Sequence, residues 1–226
     1  METSNKVKDI RYALIKGGVS SIPFVGGTAA GLLWLAIASP MEKRRNEWVE
    51  SVSIKISQLE SNNSRFSVTE LSKNDEFISL ILSTTQIALR NHKKEKIEAL
   101  KNIVINTILG VEPDEEYRSM FLNLIDLLTL THLKLLMLFD DPKKYIIVNK
   151  INFDVNSIYM GGLKIVIEGC ISELKNEKDL YSKAFKDLYS YGLLNTESVH
   201  TSMSGQGLIQ SRTTNFGQRL IKFISE

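Results

Sequence analysis

Between Lys16 and Glu42 the chain carries no charged residue, and "SSIPFVGGTAAGLLWLAIASP" (residues 20–40) fills most of that run. An uncharged segment of this kind has two homes, a lipid bilayer or a protein interior. Pro23 suits a first helical turn and Pro40 suits the start of the next helix, which predicts an apolar helix from Pro23 or Thr28 to Ser39. That is roughly 11 to 17 residues, or about 17 to 25 Å, short of the about 20 residues a bilayer span needs. Gly27 and Gly31 have the spacing that lets helices approach closely, and Leu33 and Trp34 extend the same candidate contact toward a membrane or a second copy of the chain. The expected resting state is shelter against polypeptide, with residues 22–39 as the element that would insert into a membrane on activation. No secretory leader is read at the N-terminus, because the apolar run is too long and charge follows it directly.

The rest of the first half reads as helices. Gly17-Gly18 caps a weak stripe of Val7, Ile10, Tyr12, Leu14 and Ile15; after Pro40, Trp48, Val52, Ile56 and Leu59 repeat at helical spacing. "SNNSRFS" interrupts, then Asn74 is the expected N-cap of the next helix. Ile97, Leu100, Val104 and Ile108 form a stripe ending at Gly110, and Pro113 opens a helix with Tyr117, Met120, Phe121, Leu124 and Leu128 on its apolar face. The two halves are electrically balanced, with 16 basic and 16 acidic residues up to Leu128 and 12 and 10 after it. Neither half is a polycation.

Beyond Leu128 the pattern changes. "THLKLLMLFDDP" is a short helix stopped by Pro142, and "KKYIIVNKINFDV" has the β-branched and aromatic content of a strand or extended connector. A helix with Leu163, Val166, Ile167, Cys170 and Leu174 inward follows. Asp179 then caps another, with Leu180, Ala184, Phe185 and Leu188 inward and Gly192 at its end. "ESVHTSM" and "LIQSRTT" around "SGQG" form a hairpin signal, and Thr214 caps a last helix bearing Phe216, Leu220, Ile221 and Ile224. The expected fold is therefore mainly α: a multi-helix region over 1–128, containing the apolar glycine-rich segment 17–41, and a winged-helix-like module with a small β-hairpin over 129–226.

Gly192, Leu193 and Leu194, then Thr213, Thr214, Phe216, Gly217 and Phe223, together with the middle stretch "NDEFISLILSTTQIALRNHKKEKIEALKNIVIN", give the chain a resemblance to bacterial proteins related to the abortive infection alpha family. The resemblance implies a role in anti-phage defence with no established reaction. It departs from the family pattern in the connector "KKYIIVNKINFDVNSIYMGG".

Catalytic and cofactor signatures are lacking. Gly26 and Gly31 are spaced as in a phosphate loop, but Leu32 and Leu33 stand where Lys and Ser or Thr would be needed. His92, His132 and His200 are far apart, Cys170 is the only cysteine, and the paired acids Asp140-Asp141 and Glu115-Glu116 suit helix ends, so neither a metal nor a cofactor is expected. A winged helix invites a DNA reading through Lys183, Lys186 and Arg212, against which Asp179 and Asp187 share the helix. The expected protein is a cytoplasmic, non-enzymatic sensor or adaptor acting on a protein partner or as a homo-oligomer. The alternatives are a membrane-inserting effector that joins the membrane on activation and a DNA-binding regulator; no small-molecule substrate is expected.

Overall fold

The computed structural model describes residues 27–62, 67–111 and 114–225. Among these residues it is mainly helical, with eleven α-helices and one two-stranded antiparallel sheet. The helices expected around Val7–Ile15, the Gly17-Gly18 cap and the start at Pro23 lie outside the described residues, as does Pro113. The chain divides into two units, Met1–Lys43 and Arg44–Glu226.

Helix α1 (Gly27–Asn62) runs through Pro40. The break expected there does not occur: proline deletes one main-chain donor and crowds the carbonyl four residues back, which a long helix can absorb at an exposed turn. Trp48, Val52 and Ile56 are buried as their spacing predicts, and Trp48 Nε1 donates to Thr85 Oγ1 at 2.9 Å.

In the second unit, α2 (Val68–Leu71) and α3 (Asp75–Arg90) follow, the latter capped by Asn74 Oδ1 accepting from Phe77 N at 2.9 Å. α4 (Lys94–Ile108) ends at Gly110, whose φ of 70° is the left-handed conformation that favours glycine. α5 (Glu115–Leu127) is capped by Asp114, so the helix starts two residues beyond the proline expected to open it. Met120, placed inward from the sequence, is exposed, whereas Phe121 and Ile125 are fully buried.

α6 (Leu130–Asp140) is followed directly by α7 (Pro142–Val148). The extended connector expected here is helical in its first half. Asp141 Oδ1 accepts from Lys144 N at 3.0 Å, so an N-cap with proline at the first position starts a helix and overrides the β-branched content of "YIIV". α7 closes with Ile151 N donating to Ile146 O at 3.0 Å and Lys150 N to Ile147 O at 3.1 Å, a Schellman motif with Lys150 at φ 53° where glycine is usual.

Strand β1 (Met160–Gly162) leads into α8 (Lys164–Cys170) and α9 (Lys178–Ser190). Asp179 does not cap α9, which begins at Lys178 without a side-chain cap. Its inner face is Tyr181, Ala184, Phe185 and Leu188, whereas Leu180, expected to point inward, is exposed. The hairpin does not form. Strand β2 (Ser202–Ser204) pairs antiparallel with β1, Gly161 opposite Met203, and "GQGL" of the expected turn is helix α10 (Gly205–Leu208), capped by Ser204. A Cβ at Gly205 would lie 2.3 Å from Ile158 O, so only glycine lets α10 sit against the turn before β1. A single bridge joins Leu194 to Thr213, and Thr214 caps α11 (Asn215–Ile224) as its position predicts.

Packing within this unit crosses Leu128, because α11 lies on α4; on the C-terminal side α9 lies on α6. Phe121 of α5 stands 5.2 Å from Phe216 and 5.8 Å from Phe223 of α11, ring centre to ring centre, while Asn106 Nδ2 donates to Phe223 O and Ser225 O at 2.8 Å each. The buried side chains form one core.

Candidate functional site

Two surfaces break the usual rule that apolar groups go in and charged groups stay out. The first is an open cleft of about 480 Å³ where the α3–α4 connection meets the α5–α6 connection, lined by Asn91, Lys93, Lys96, Asp126, Thr129 and Thr131 among others. Lys96 is only 6% exposed. Its ammonium donates to the main-chain carbonyl of Asp126 at 3.0 Å, while the Asp126 carboxylate pairs with Arg90 Nη2 at 2.9 Å. Desolvation by burial lowers the Lys96 pKa, opposed by the charge of Asp126.

His132 lies at the third position of α6, next to this cleft. Its Nδ1 receives the Thr129 main-chain N–H at 3.1 Å and lies 2.7 Å from Thr129 Oγ1, so Nε2 carries the proton of the neutral ring. That Nε2 is buried and stands 3.5 Å from Asp187 Oδ2 of α9, which also pairs with Lys183. Burial lowers the His132 pKa, with Asp187 pulling the other way and Lys183 and Lys96 adding to the lowering. The Asp187 carboxyl is held below its ordinary value by Lys183 first, against desolvation, with His132 helping. Sequence spacing did not point to this cluster: Arg90, Lys96, Asp126, His132 and Asp187 come from five helices.

The second surface is the outer side of the α7–β1 segment. At 100° per residue Lys143, Lys144, Ile147 and Val148 share one face of α7, while Tyr145 and Ile146 pack against the core. Ile147 is 74% exposed and Val148 66%, and farther along the same segment Tyr159 is 93% and Met160 63% exposed.

The residues singled out from sequence fall elsewhere. Gly27, Gly31, Leu33 and Trp34 are on α1, with side-chain surroundings outside the described residues. Lys183 and Lys186 are both on α9, where Lys183 pairs with Asp187 and Lys186 lies 3.7 Å from Glu197. Arg212 is turned inward: Nη2 donates to Gly207 O at the end of α10 and contacts Met203 Sδ, and Nε is buried. The three cations are not presented together as a free basic surface. Among the described residues no helix is long and apolar enough to cross a membrane, and no group of three or more His, Cys, Asp or Glu side chains could hold a metal ion. The Cys170 thiol is buried and pushed up to about 11 by desolvation. Comparison with protein-family models, curated proteins and solved structures finds no match.

Proposed function

We propose that this chain is a non-enzymatic recognition module of bacterial anti-phage defence, of the abortive-infection type, that works in the cytoplasm by binding a protein partner. The observation that carries the reading is the exposure of Ile147, Val148, Tyr159 and Met160 on the α7–β1 segment. Large apolar side chains held in water on an ordered segment are the usual mark of a contact surface. The Schellman closure of α7 and the pairing of β1 with β2 hold that segment in place, so a partner would meet a preorganised face. The defence context comes from the resemblance carried by the C-terminal residues. A winged-helix-like reading of residues 129–226 is supported by the order helix, strand, helix, helix, strand from α7 to β2, with α10 standing where a wing would turn.

The test is a phage challenge of bacteria expressing the chain together with its neighbouring genes. Wild type should lower plating efficiency by at least about tenfold, and an Ile147→Ser/Tyr159→Ser variant with unchanged thermal unfolding should lose that protection. Full protection by this folded variant, or no protection by wild type against any phage in a broad panel, would overturn the reading.

A further inference from the structure

The cleft at the start of α4 holds a cation that the protein itself leaves incompletely satisfied. A lysine ammonium has three donors. In Lys96 one goes to Asp126 O, and among the described residues no carboxylate forms an ion pair with it, because the nearby Asp126 carboxylate is taken by Arg90. A buried ammonium without a counter-ion is costly, and burial has already weakened its hold on the proton. The missing partner has a place to sit. Lys96 lines the cleft beside Lys93, which is exposed, and Thr131 and Asn91 line it too; one Asn91 amide hydrogen is spent on Ile87 O at 2.7 Å and the other remains.

We propose that this cleft binds the phosphoryl group of a small phosphate ester, with Lys96 and Lys93 matching its two negative charges and Thr131 and Asn91 donating to its oxygens. Two ammoniums against a single carboxylate already engaged by arginine favour a dianion over a monoanion such as a carboxylate. The volume of about 480 Å³ exceeds what a bare phosphate fills and lies in the range of small-molecule sites, which favours an ester. The α4 N-terminus adds to the attraction, since Lys93 at its N-cap position makes no side-chain hydrogen bond to the first turn. The site shares no residue with the α7–β1 face, so phosphate binding and phage protection can fail independently.

The test is calorimetric titration of the full chain with inorganic phosphate, glycerol 3-phosphate and AMP, at ionic strength held constant with sodium chloride. Wild type should bind at least one ester saturably with Kd at or below about 1 mM and more tightly than inorganic phosphate. Tighter binding of AMP than of glycerol 3-phosphate assigns a nucleotide, and the reverse assigns a simpler ester. Lys96→Met keeps the buried stem and removes the charge, so it should weaken binding by at least about tenfold while the unfolding midpoint stays level or rises. Should Lys96→Met fail to fold, Lys93→Met/Thr131→Val, which changes only residues at the cleft mouth, should show the same loss. Absence of saturable binding, inorganic phosphate binding as tightly as every ester, or unchanged affinity in a folded variant would overturn the proposal.

Discussion

The α7–β1 segment and the α4–α6 cleft invert the ordinary distribution of side chains in opposite senses. On α7–β1, Ile147, Val148, Tyr159 and Met160 stay in water, although the core beneath has taken in their neighbours Tyr145, Ile146 and Ile158. In the cleft, Lys96 is drawn away from water although charged side chains usually snorkel outward, and next to it the neutral ring of His132 is largely covered. Exposing an aliphatic side chain costs each a few kcal/mol of unrealised burial at most, whereas burying a charge costs several unless something pairs with it. The first pattern therefore fits intermittent contact with a partner. The second implies that its cost is offset within the molecule or by a bound anion.

The comparison can be broken first at the core behind both regions. Phe139 of α6 meets Phe185 of α9 edge-on at 5.2 Å and is fully buried, so Phe139→Ala should cost about 3–5 kcal/mol in urea unfolding. A much smaller loss would mean that α6 and α9 are not packed as described. Next is the pH dependence of the His132 cluster. The His132 pKa is lowered below the ordinary 6.5, so the unfolded chain takes up a proton that the folded chain refuses; stability contributed by neutral His132 is complete above about pH 6.5 and declines as pH falls below it. His132→Gln should flatten the part of the stability curve just below that pH, and an unchanged slope would remove His132 from the buried network.

A smaller effect is expected at Lys150. Its left-handed φ is strained for a side chain, and Lys150→Gly should stabilise by about 0.5–1 kcal/mol if the Schellman end of α7 exists in solution. Destabilisation would place the α7 terminus elsewhere. The smallest effect belongs to the exposed face: Ile147→Ser and Val148→Ser should each shift stability by no more than about 0.5 kcal/mol. A loss of core size at either position would show that the apolar residues of α7–β1 are buried after all, and the contrast with the cleft would vanish.

Elements whose signals are local were legible before the fold was known. Asn74, Gly110, Gly192 and Thr214 end or begin helices as expected because a cap is a contact between residues two to four apart, or a single backbone conformation. The stripes of Trp48, Val52 and Ile56, and of Leu163, Val166, Ile167 and Cys170, are buried as their spacing requires. The hairpin failed for the complementary reason. "SGQG" satisfies a turn and a short helix equally well, and the partner that decided between them, Met160–Gly162, lies about forty residues upstream. At "PKKYIIV" the cap and the β-propensity disagreed, and the cap with its tertiary packing won.

Read alone, the amino-acid order determined that this chain would be mainly helical, where many of its helices end and which stripes turn inward, since each of those outcomes depends on neighbours within one or two turns. Only the tertiary structure decided that β2 pairs with β1, that Arg212 turns inward and that Lys96, Asp126, His132 and Asp187 draw together. Their neighbours are remote in sequence, and what a side chain pairs with, or is denied, is set by the packing of whole helices.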